Sequence, residues 1–188
     1  MNIIMHLLEE KYTVNIYWGN KMQNEYDVVV IKVLDGDTVD VDIDLGFGVC
    51  LKDERVRIMG IDTPESRTSD KVEDLFGEAA KARLIELMKD GGKLITTEDR
   101  HGEDMKGKFG RILGDFRVPD GRKVTEILTE EGHCVPYSGG SKEDTIAAHE
   151  VNRQRLLEEG VVDKAEYSKQ VILMAEKHRH LNEDPHDG

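Results

Sequence analysis

Apolar and polar positions begin to alternate at Tyr26, and three strand-like runs follow in close succession: "YDVVVIKVL", "TVDVDIDL" and "ERVRIMGI". In the second, Val39, Val41 and Ile43 fall on one side of a period-two pattern and Asp40, Asp42 and Asp44 on the other, which predicts a half-buried strand with a solvated acidic face. The third sets Val56 and Ile58 against Arg55 and Arg57. Short connections between such runs predict an antiparallel meander, with a longer connection expected around "LGFGVCLKDE". The period then changes. A polar stretch to Asp74 leads into "LFGEAAKARLIELMKDGG", where Leu75, Ala79, Ala82 and Ile85 recur at helical spacing before the Gly91-Gly92 stop.

Two further strands, "KLITTED" and "RILGDFRV", flank the polar loop "RHGEDMKGKFG". "KVTEILTEEGH" reads as a short helix ended by Gly132, "VPYSGGSK" as a loop, and Glu143 to about His180 as helix interrupted at "EGVVD". The order predicts an α+β protein that is mainly a β barrel: a five-stranded OB-fold with a helix inserted after strand 3, followed by C-terminal helices. The expected organisation is an N-terminal extension over 1–24, a barrel domain over 25–142, a helical extension over 143–181 and a tail over 182–188.

Length and composition narrow the function classes. A chain of 188 residues, 38% hydrophobic and 35% charged, supports one core, and its apolar runs are too short to span a membrane. The N-terminus has neither a basic leader nor a small-residue cleavage site, so an intracellular, cytoplasmic location is expected, with secretion left open if the N-terminus is processed. Cys50 and Cys134 are expected to be free thiols. The formal net charge of -13 opposes unassisted binding to a polyanion. Any nucleic-acid function must therefore rest on local positive charge or on a metal ion.

The acidic stretch "DGDTVDVDIDLG" invites a calcium-loop reading, but counting from Asp40 the sixth position is Leu45 instead of glycine and the twelfth is Leu51 instead of glutamate. If this stretch holds a metal ligand, it lies in the "LDGDT" turn that carries Asp35 and Asp37, with Asp35 read as a turn residue. In "RVRIMGIDTPE", Pro64 ends the strand and restricts Thr63, presenting Asp62, Thr63 and Glu65 in one fixed turn. That turn has two open readings on its own residues: a hard-cation site, or a strand-ending turn with a helix cap.

Taken together and in order, "LDGDT", "RVRIMGIDTPE" and "KFGRILGDF" resemble the staphylococcal nuclease (thermonuclease) family over roughly Tyr26 to Lys142. The resemblance implies that Asp37 and Asp62 bind a catalytic Ca²⁺ through carboxylates and Thr63 through its carbonyl, with Mg²⁺ less effective. It implies that Glu65 orients or deprotonates the attacking water, and that Arg57 and Arg111 bind the phosphate. Lys106 and Lys108 become expected phosphate contacts, Phe109 replaces a tyrosine common in the family, and Tyr137 resembles an aromatic residue that packs on the nucleotide. Arg55 receives no role, and His178, His180 and His186 are read as tail residues. The implied activity is calcium-dependent hydrolysis of DNA and RNA with little sequence specificity, leaving 3'-phosphate and 5'-hydroxyl ends. The alternatives are a catalytically silent module binding nucleic acid or protein, and an acidic adaptor unrelated to nucleic acid. The C-terminal helices are the expected surface for an oligomer or protein partner, and no membrane contact is expected.

Overall fold

The computed structural model describes residues 25–96, 110–137, 139 and 141–182. Lys106, Lys108, Phe109, His186 and the N-terminal segment lie outside the described residues. The three predicted runs form β1 (Glu25–Asp35), β2 (Thr38–Gly46) and β3 (Val49–Ile58). After them come β4 (Ile61–Asp62), α1 (Lys71–Met88), β5 (Gly92–Thr96), β6 (Ile112–Arg117), α2 (Val124–Glu130), β7 (Val135–Pro136), α3 (Lys142–Glu158) and α4 (Lys164–Asn182). Strands β1-β2-β3-β6-β5 close into a barrel. β5 returns to β1 in antiparallel register, with Tyr26 opposite Leu94, whereas β3 and β6 run parallel, with Val56 opposite Ile112. This is the expected five-stranded barrel with a helix after its third strand.

The inward positions Val39, Val41, Val56, Ile58, Leu94 and Phe116 are fully buried, each contributing about 1.5–3 kcal/mol through removal of apolar surface from water. The acidic face of β2 departs from expectation, because Asp40 is buried, with Arg55 donating to both its oxygens at 2.8 and 3.0 Å. Only Asp44 on that face is exposed. Nor is the β2–β3 connection long. Gly46 pairs with Val49, leaving the two-residue turn Phe47-Gly48, both at positive φ, as the tightest hairpin turns require.

Helix α1 starts earlier than expected, at Lys71, because the Asp70 carboxylate accepts from the backbone N–H groups of Val72 and Glu73. Its buried face is also rotated from the expected one: Phe76, Ala80, Leu84 and Met88 are buried, while Ile85 is 49% exposed. The reason is that α1 is covered on two sides. Leu84 and Met88 join the barrel core, and Phe76 packs with Leu156, Leu157 and Val162 of the C-terminal segment, leaving Leu75 and Ala79 half-buried at that seam. Phe76 also meets Tyr167 edge to face, with centroids 6.0 Å apart. An apolar stripe defined for one partner cannot describe a helix serving two.

Cys50 and Cys134 are free, and burial pushes the Cys134 thiol up to about 11. No helix among the described residues is long and apolar enough to cross a membrane.

Candidate active site

The β2–β3 register sets the first half of the site. Thr38 pairs with Arg57, so the arginine emerges beside the turn carrying Asp37. Asp37 is 5% exposed. Its Oδ1 accepts from the Thr38 hydroxyl at 2.7 Å, its Oδ2 lies 2.8 Å from Arg57 Nη2, and its backbone carbonyl accepts from Ile58 N–H at 2.8 Å. Asp35 does hold the turn, accepting the Gly36 N–H at 3.0 Å, but the same oxygen accepts the Ser66 N–H at 3.2 Å. One carboxylate therefore joins the "DGDT" turn to the "DTPES" turn.

The second half hangs on an unpredicted two-stranded sheet, in which Ile61 and Asp62 of β4 pair with Pro136 and Val135 of β7. The chain leaving that sheet presses against α1. A Cβ placed on Gly77 would come 2.4 Å from the Glu65 carbonyl carbon and 2.5 Å from Ser66 N, so only glycine admits this approach. Gly77→Ala is expected to displace the Glu65 turn and cost about 1–3 kcal/mol, lowering the melting temperature by roughly 2–4 °C per kcal/mol. Cleavage measured well below that melting temperature should fall by more than the folded fraction does.

Asp37, Arg57, Glu65 and Arg111 line one cavity of about 420 Å³, with Asp35, Arg55 and Arg67 among its other walls. Four arginines face three acids there, and since Arg55 is already paired with Asp40, the remaining charges balance locally in a chain of net charge -13. Arg111 Nε is buried without a hydrogen-bond partner among the described residues, leaving a donor for an anionic ligand. Arg67, at 4.0 Å from Asp35, was not singled out from the sequence; its place two residues after Glu65 was the available signal.

The acids are held uneasily. Burial, opposed by the Thr38 hydrogen bond and by Arg57, pushes the Asp37 carboxyl above its usual range, with Asp35 and Asp62 adding repulsion. Glu65 is raised as well, by desolvation and then by Asp35 and Asp37. No cluster of three His, Cys, Asp or Glu side chains among the described residues forms a ready-made cation cage. The donor set is nonetheless all oxygen, and its mutual repulsion is of the kind a hard divalent cation relieves.

A carboxyl raised in the folded state keeps its proton longer there, so its contribution to stability is present below the ordinary carboxylate range and lost as pH rises through the folded value. Asp37→Asn removes that penalty. The metal-free variant is therefore expected to melt at or above the wild-type temperature at neutral pH. Calcium should raise the wild-type melting temperature and leave that of the variant nearly unchanged, as thermal melts with and without chelator would read.

Asp62 stands near enough to Asp37 to repel it but is not among the walls of that cavity. It lines a second cavity, of about 520 Å³, with Pro64, Tyr137, Lys142, Arg153 and His149 among its walls. His149 Nε2 lies 2.8 Å from Asp62 Oδ2. Thr63 is buried and is among the walls of neither cavity. The structure thus gathers Asp37, Arg57, Glu65 and Arg111 around one cavity, and sets Asp62 and Tyr137 on another. Lys106, Lys108 and Phe109 fall outside the described residues.

The sequence profile of the Staphylococcal nuclease homologue family matches residues 55–155, more than half of the chain. The chain belongs to the staphylococcal nuclease family. The match runs from Arg55 into α3 and contains Arg57, Asp62, Thr63, Glu65 and Arg111. Among curated proteins of this kind, the SPbeta prophage-derived endonuclease YokF of Bacillus subtilis is 35% identical over 106 residues, covering 56% of this chain and 32% of its own length. Endonuclease YncB of the same organism is 36% identical, covering 56% of this chain and 46% of its own. A micrococcal nuclease of Shigella flexneri is 28% identical across 68% of this chain and 70% of its own. The chain thus spans about a third to a half of the two Bacillus relatives.

Proposed function

We propose that this member of the staphylococcal nuclease family is a calcium-dependent nuclease that hydrolyses DNA and RNA with little sequence specificity, leaving 3'-phosphate and 5'-hydroxyl ends. Mg²⁺ would substitute less well. The observation that carries this reading is the convergence of Asp37, Arg57, Glu65 and Arg111 on one cavity. The endonuclease and nuclease names of its relatives agree with it.

Arg57 and Arg111 would receive the scissile phosphate, each donating hydrogen bonds to its oxygens, and would hold it more tightly as charge builds in the pentacoordinate transition state. Glu65 would orient a water and accept its proton as the water oxygen bonds to phosphorus. The bond from phosphorus to the 5' oxygen then breaks, and that oxygen takes up a proton to become the hydroxyl. Asp37, Asp62 and the Thr63 carbonyl would hold the Ca²⁺, which when bound supplies Lewis-acid polarisation and charge neutralisation at the phosphate. Asp35 and Arg67 extend the polar wall around the phosphate. Tyr137 would pack on a base beyond it. Exposed Val171, Ile172 and Leu173 on α4 are the candidate surface for a protein partner or an oligomer.

Single-stranded DNA incubated with purified protein in Ca²⁺, in Mg²⁺ and in chelator, beside the Arg57→Ala protein, tests this. Cleavage that requires the ion and falls by about two to three orders of magnitude with the substitution is the expected result. Intact DNA in every lane, from protein shown to be folded, would favour the silent binding module; no binding of nucleic acid at all would favour the adaptor.

A further inference from the structure

We propose that His149 is a positioning residue for the metal centre, holding the Asp62 carboxylate through Oδ2 and leaving Oδ1 to serve as the ligand. The proposal rests on the calcium reading above and assigns α3 a part in the site.

A carboxylate accepts and does not donate, so the 2.8 Å contact fixes His149 Nε2 as the donor, whichever charge the ring carries. The imidazole is largely covered around this bond, its side chain 13% exposed, whereas the Asp62 side chain is 37% exposed. Asp62 is a half-exposed aspartate at the end of a two-residue strand, and the histidine hydrogen bond restricts its rotamer. Donors behind a ligating carboxylate orient it in the same way around metals generally.

The backbone explains why this histidine is in place. On α3, Asn152 follows His149 by three residues and shares its face; Asn152 Nδ2 donates to the Cys134 carbonyl at 3.0 Å, just before β7. Asp62 in turn pairs with Val135 of β7. One face of α3 therefore grips both strands of the small sheet that carries the ligand. One turn further, Arg155 Nη1 donates to the Glu130 carbonyl at 2.7 Å, and Leu156 is buried against Phe76. The helix is anchored independently of His149, so the substitution can be made without undocking it.

The test uses the full chain, metal-free, titrated with Ca²⁺ by calorimetry at one pH, with a thermal melt of each metal-free protein. His149→Leu keeps the bulk and removes the donor; His149→Gln returns an N–H at nearly the same reach. His149→Leu is expected to weaken Ca²⁺ binding about 10- to 100-fold with the metal-free melting temperature little changed, and His149→Gln is expected to recover most of the loss. Wild-type Ca²⁺ affinity in His149→Leu would overturn the role, as would equal weakening in both variants. Absence of Ca²⁺ binding by the wild-type protein would overturn the calcium reading itself and this role with it.

Discussion

Glu65→Gln is expected to lower cleavage by about 10²–10⁴-fold, the range spanned by a single positioned acid or base. The substitution keeps the size and hydrogen-bonding reach of the side chain and removes its capacity to take a proton. Glu65 is exposed at the cavity mouth, so folding should hardly change, and its backbone remains fixed by the Gly77 contact and the Ser66 tie to Asp35. The pH profile separates this role from simple crowding. Desolvation, then Asp35 and Asp37, raise the Glu65 carboxyl above its ordinary 4.5. A base must be deprotonated to act, so the wild-type kcat/KM should climb with pH through that raised value. In the variant this limb should vanish while the residual rate stays flat across the same window. A variant with the wild-type rate, or one that keeps the acidic limb, would remove Glu65 from the chemistry.

The barrel could be read from the sequence because its cause is local. Val39, Val41 and Ile43 alternate with aspartates whatever surrounds them, and that alternation is what a half-buried strand requires. The grouping of Asp37 with Arg57 rested on the family resemblance, because the register that sets Thr38 opposite Arg57 depends on the tight Phe47-Gly48 turn, where a longer connection was expected. What escaped depends on partners distant in sequence. Asp40 looked solvated until Arg55, fifteen residues on, came across the hairpin to cover it. The face of α1 was misjudged because its stripe serves two partners, one of them the C-terminal segment. Nothing in the helical pattern marks Gly77, although its missing side chain admits the Glu65 turn. His149 is 87 residues from Asp62, and no spacing rule reaches that far.

Arg57→Ala is the second large loss expected, about 10²–10³-fold in kcat, the scale of removing one preorganised donor from a developing oxyanion. Its position makes the consequence more than a lost phosphate contact. Arg57 is the ion-pair partner of buried Asp37, and one of the influences holding that carboxyl down against desolvation. Removing it leaves Asp37 closer to protonation in the metal-free protein, so Ca²⁺ should bind with a steeper pH dependence, each ion displacing more protons from the site. Arg57→Lys separates the two effects. A lysine restores a positive charge near Asp37 but lacks the fork that gives two hydrogen bonds to one phosphate. It should therefore return much of the Ca²⁺ affinity and little of the rate. Calorimetric titration of Ca²⁺ at two pH values, beside cleavage rates at saturating Ca²⁺, reads both quantities from the same proteins. Full recovery of rate in Arg57→Lys would reduce the arginine to a point charge, and would leave Arg111, whose buried Nε has no partner among the described residues, as the principal hydrogen-bond donor to the phosphate.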